Sequence, residues 1–193
     1  MNILALDRTV FYFVSSVFFC ETLNHNILPA EIGIAKFSLR DGVSDSFHTF
    51  IDPGPIPLGF PAIAEYLAKK HQLPLPPNAK GISSYFNILI DILAFLKNSE
   101  NSDVLILYCH PDYIKSTTMV VDKIVREAGE TKSIIKVYPA DQLFFQLKHI
   151  TTQINNLQNP EKIESGFYNV FVAKEMLDRD CYEYTLNIGC KVR

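Results

Sequence analysis

Residues 11–19 read FYFVSSVFF, and residues 29–60 read PAEIGIAKFSLRDGVSDSFHTFIDPGPIPLGF. The first stretch lies in an apolar segment from Thr9 to Phe19, rich in Val and Phe and without strict alternation. That pattern belongs to a central strand covered on both faces. The second stretch holds two candidate strands, Glu31 to Leu39 and Val43 to Ile51, separated by Arg40, Asp41 and Gly42. An Asp-Gly pair supplies the positive φ that a tight hairpin turn needs, so three antiparallel strands open the fold. The segment from Asp52 to Pro61, DPGPIPLGFP, has too few backbone donors to extend a sheet and is predicted to be a loop.

Beyond the loop the pattern changes to strands alternating with helices. A short helix is predicted over Ala62 to His71, ended by PLPP. Ser83 or Ser84 can cap a helix whose apolar residues Phe86, Leu89, Ile90, Leu93 and Leu96 recur at helical spacing. Asp103 to Cys109, DVLILYC, has the length of a buried strand. An amphipathic helix over Thr117 to Glu127 stops near Gly129, and Ser133 to Tyr138 reads as a further strand. Asp141 to Ile154 and Phe167 to Leu177 read as helices around a polar loop from Asn155 to Gly166. The fold class expected is therefore α/β and RNase H-like: a mixed central sheet of three antiparallel strands, then strands alternating with helices, flanked by helices.

Composition bounds the function. A chain of 193 residues is long enough to bury roughly 70% of its unfolded surface in one core, so a single domain over residues 1–193 is expected. With 48% hydrophobic and 20% charged residues, extended disorder is not expected. A net charge of −3 gives no global pull on a polyanion, so any nucleic acid must be held by a local patch and by stacking. Cys20, Cys109, Cys181 and Cys190 have no close spacing, which fits a reduced intracellular compartment. The apolar run from Thr9 to Cys20 is shorter than the roughly 18 to 20 residues needed to cross a bilayer, so no membrane association is expected.

The run PAEIG-x-x-K-x-S-L-x-x-G, followed by FH-x-FI-x-PG-x-IP-x-GF and an apolar strand ending at Tyr108 and Cys109, resembles the Maelstrom domain. The resemblance extends over nearly the whole chain and is dense between Pro29 and Phe60. It implies a place among proteins of the piRNA pathway that silence transposons in animal germ lines, in the cytoplasm (perinuclear germ granule) and the nucleus. It also implies kinship with DEDDh-type exonucleases, which carry D-x-E on the first strand so that carboxylates hold two metal ions about 4 Å apart. The equivalent positions here are Ser15 and Val17. A hydroxyl is a poor ligand for Mg²⁺ and an isopropyl group is none, so no Mg-dependent site and no exonuclease of that type is expected. A third acid would fall just after DVLILYC, where the register lands on Ile114 or Lys115 and the nearby Asp112 reads as a surface-turn residue.

The resemblance further implies a zinc set of Glu, Cys, His and Cys. Glu31 and Cys190 occupy two of its places, and Arg193 stands where the His belongs. Arginine donates no lone pair and structural zinc needs four ligands, so an incomplete set is expected in these 193 residues. His48 and His71 are the nearby substitutes. Placed between Phe47 and Thr49, His48 reads as an ordinary half-exposed strand residue, and His71, after Lys69 and Lys70, reads as a solvated helix end. Glu31 reads equally well as a ligand and as a residue that merely opens its strand.

Family members bind single-stranded RNA, and some cut it without the exonuclease acids. The candidate phosphate contacts are Lys69, Lys70, His71, Lys115, Lys191 and Arg193, with exposed Tyr or Phe stacking on bases. The expected partners are single-stranded RNA and piRNA-pathway proteins, with no small-molecule substrate. Two functions compete: an RNA-binding domain with metal-independent endoribonuclease activity, and a non-catalytic scaffold for protein partners. Many members carry an HMG box ahead of this domain, and the present sequence begins almost at the first strand.

Overall fold

The structure, a computed structural model, describes residues 6–96, 104–130 and 134–158. The predicted helix over Phe167 to Leu177 and the polar loop before it from residue 159 onward lie outside the described residues, as do Cys181, Cys190, Lys191 and Arg193. Three strands come first: β1 (Val10–Glu21), β2 (Ile27–Ser38) and β3 (Gly42–Phe50). Then follow α1 (Pro61–His71), α2 (Tyr85–Leu96), β4 (Leu105–Cys109), a 3₁₀ turn (Pro111–Tyr113), α3 (Ile114–Glu127), β5 (Ile135–Pro139) and α4 (Ala140–Gln158).

The strands form one sheet in the order β3-β2-β1-β4-β5. β2 runs antiparallel to β1 and β3, whereas β4 is parallel to β1 and to β5. This is the RNase H-like arrangement that the sequence predicts. β1 and β2 are longer than expected. They meet in a turn where Thr22 N–H donates to Asn26 C=O at 2.9 Å and His25 adopts a φ of 54°. The β2–β3 turn is closed as the Asp-Gly pair requires: Asp41 N–H donates to Ser38 Oγ at 3.0 Å, and Gly42 has a φ of 69°.

Both faces of the sheet are covered, which explains the lack of alternation in β1. On one face Tyr12, Val14, Ile32, Ile34 and Leu107 pack against Ile88, Leu89, Ile92 and Leu96 of α2 and Val120, Val121, Ile124 and Val125 of α3. On the other, α4 covers Phe11, Phe13 and Tyr108 through Leu143, Phe144 and Leu147, while α1 covers Val17, Phe19 and Cys20 through Ala64 and Ala68. The middle of that second face, between α1 and α4, carries Ser15. α2 forms as the helical spacing predicts; Leu89 and Leu96 are buried and Leu93 packs against the core, whereas Phe86 and Ile90 are 58% and 49% exposed.

The segment between α1 and α2 folds back to lengthen the sheet, with Ile82 bridging Ile51 in parallel. Ile82 N–H donates to Phe50 C=O at 3.0 Å, and Asp52 N–H donates to Ile82 C=O at 3.1 Å. Gly81 permits this approach, because a Cβ there would lie 2.3 Å from the Ile51 carbonyl carbon. Among the described residues no helix is long and apolar enough to cross a membrane.

Candidate functional site

Strand register assembles the site. Ser15 lies opposite Gly33, which lies opposite His48; Val17 lies opposite Glu31, which lies opposite Phe50. Directly paired residues share a face, so two rungs, Ser15–Gly33–His48 and Val17–Glu31–Phe50, stand side by side on the face between α1 and α4. Glu31 is the carboxylate on them, and Gly33 leaves their centre without a side chain.

Glu31 does more than open a strand. Its Oε1 lies 2.5 Å from His48 Nε2, and the two side chains are only 11% and 18% exposed. The His48 ring also meets Phe50 edge-on at 4.7 Å. The expectation of an ordinary half-exposed strand residue for His48 is therefore overturned, and the cause is a β-bulge. From Ser38↔Gly42 and Phe37↔Val43 the pairing shifts by one residue to Lys36↔Asp45 and continues so to Glu31↔Phe50. Without that shift Glu31 would pair with Thr49, and His48 would face the other way.

His71 is likewise no solvated helix end. It is half-buried, and burial, followed by the neighbouring Lys70 charge, pushes its imidazole below the ordinary histidine range. The Glu31 carboxylate works in the opposite direction, more weakly. His71 therefore adds little positive charge at neutral pH.

The remaining candidates divide. Lys69 is exposed and pairs with Glu65 at 2.8 Å, one turn earlier on α1. Lys115 sits at the start of α3 and reaches Glu21 at 3.6 Å. Hydrogen bonding to His25 is the first cause holding Glu21 below the usual carboxylate range, and Lys115 adds to it. Asp112 is the surface-turn residue that the sequence predicts: its side chain is 81% exposed, and its backbone N–H is capped by His110 Nδ1 at 3.3 Å. Ile114 packs into the core rather than replacing an acid.

Among the described residues no group of three or more His, Cys, Asp or Glu side chains could hold a metal ion. Glu31 and His48 provide two donors where structural zinc needs four, so the described residues alone do not fit zinc. One carboxylate beside an imidazole likewise cannot hold two divalent ions for in-line attack on phosphate.

A mixed five-stranded sheet in the order β3-β2-β1-β4-β5 with helices on both faces defines an RNase H-like α/β domain. The profile of the Maelstrom family, described as a piRNA pathway germ-plasm component, matches residues 21–192. The chain belongs to the Maelstrom family. It is 36% identical over 194 residues to the protein maelstrom homolog of Culex quinquefasciatus, covering 97% of this chain and 36% of that protein. It is 29% identical over 196 residues to protein maelstrom of Drosophila melanogaster, covering 96% of this chain and 40% of the fly protein. The chain thus spans well under two thirds of the length of these curated relatives. Escherichia coli exonuclease I, solved with an oligonucleotide, is similar over 81% of this chain and 33% of its own, with a TM-score of 0.48 and 8% identity.

Proposed function

We propose that this domain binds single-stranded RNA within piRNA-mediated transposon silencing in the germ line, on a nuclease frame that no longer performs metal-dependent exonucleolysis. The observation that carries this reading is the pair of rungs across β1, β2 and β3. They bring Ser15, Val17, Glu31 and His48 onto one face of the sheet, and the family resemblance implies that Ser15 and Val17 replace metal-binding carboxylates there. Any cleavage is then metal-independent and endonucleolytic. Zinc, if held, requires Cys190 to join Glu31. Work in the cytoplasm and nucleus follows from the family.

The test is equilibrium titration of labelled single-stranded RNA at several salt concentrations. Binding should weaken with salt at a slope of about 0.7 per phosphate contact, and a duplex of equal length should bind less well. Absence of binding at low salt overturns the reading. A second reading, a scaffold for protein partners in the same pathway, is favoured by Phe86 and Ile90, which stand exposed on the outer side of α2. Retained capture of pathway proteins without RNA binding would select it.

A further inference from the structure

The apolar outer side of α2 has nothing beside it to say what covers it. Tyr113, 40% exposed near Lys115, stands beside the exposed Asp112 carboxylate, which opposes a polyanion. The outer face of α1 carries more. This helix touches the sheet through two small residues, Ala64 and Ala68, and turns its larger side chains outward. Ile63 is 49% exposed and Tyr66 is 66% exposed. Residues three and four apart are neighbours on a helix surface, so Lys69 and Lys70 flank the Tyr66 ring on the next turn.

We propose that the outer face of α1 is a stacking platform for single-stranded RNA, with a base on Tyr66 and the flanking phosphates on Lys69 and Lys70; this rests on the RNA-binding reading above. An exposed aromatic ring between two cations is the combination that holds single strands without reading sequence, because every base has a π-face. The acid of this helix, Glu65, is already engaged by Lys69 at 2.8 Å. His71 is half-buried and its imidazole is pushed below the ordinary range, so the net positive charge of the platform is the surplus of Lys69 and Lys70 over Glu65. A protein partner would use Ile63 and Tyr66 but would gain little from two adjacent lysines.

The experiment compares the wild-type chain with Tyr66→Ala, Tyr66→Phe and the Lys69→Gln/Lys70→Gln pair, using labelled oligouridylate. Tyr66→Ala should weaken binding by about 5- to 150-fold, and Tyr66→Phe, which keeps the ring, should stay within about twofold. The double lysine variant should reduce the salt slope by about 1.4. Tyr66 is largely exposed, so these variants should keep the wild-type circular dichroism spectrum. Wild-type binding that Tyr66→Ala leaves unchanged overturns the platform and spares the RNA-binding reading. Failure of the wild-type chain to bind overturns both. Unchanged RNA affinity with loss of a captured protein assigns the face to protein docking instead.

Discussion

Removing His48 isolates the contact on which the site is built. The Glu31 and His48 side chains are 11% and 18% exposed and meet at 2.5 Å. A hydrogen bond to a charged group nets about 1.5–3 kcal/mol, and leaving a buried carboxylate without its partner raises the cost toward about 3–5 kcal/mol. Because both groups keep some solvent access, His48→Ala should destabilise the fold by roughly 2–4 kcal/mol. Glu31→Gln keeps a neutral hydrogen bond and should cost about 1–2 kcal/mol. Urea unfolding followed by circular dichroism measures both variants and their combination, with an unchanged m-value as the sign that the unfolded ensemble is unaltered. If the contact is real, the double variant loses less than the sum of the singles, by about 1 kcal/mol or more. Additive losses, or a His48→Ala protein within about 0.5 kcal/mol of wild type, would refute the pairing.

Gly81→Ala should destabilise by about 1–3 kcal/mol, because the added Cβ would lie 2.3 Å from backbone at Ile51; a wild-type melting curve would contradict this. Burial, with smaller contributions from Glu127 and Asp52, pushes the Tyr85 phenol up to about 12. A phenol raised above its ordinary value stabilises the fold fully below about pH 10 and loses that contribution between about pH 10 and the shifted value. Burial also raises the Tyr108 phenol, so alkaline spectrophotometric titration should show a late tyrosine phase that shrinks by one group in Tyr85→Phe; no change in the late phase would refute the burial of this group. Elemental analysis of the 193-residue chain should find less than one zinc per molecule, since Glu31 and His48 supply two donors where structural zinc needs four. Stoichiometric zinc that Glu31→Ala removes would show that other residues complete the set.

Much of the fold was legible in local sequence. Asp41 and Gly42 announce the β2–β3 turn, the absence of alternation in FYFVSSVFF announces a strand buried on both faces, and prolines end the antiparallel part. That Ser15 and Val17 lie on the first strand was also readable, because the apolar run around them has the length and composition of a buried strand. The Glu31–His48 pair was not. Its existence depends on one extra residue in β3 near Ser44, which shifts the register and turns His48 to the face of Glu31. Residue patterns do not show where a bulge falls. Tyr66 was missed for a different reason: α1 was read by its candidate cations, and only packing shows that alanines, not larger residues, hold it to the sheet. The two outward apolar residues of α2 show the same limit, since helical spacing does not say which of two apolar faces meets the sheet.

Incubation of end-labelled single-stranded RNA with the chain, in Mg²⁺ and in EDTA, tests the central claim most directly. With Ser15 and Val17 in place of the metal-binding acids, the RNA should be bound equally well in both and should show no Mg²⁺-dependent shortening from its ends. Stepwise shortening that starts with Mg²⁺ and stops with EDTA would contradict it.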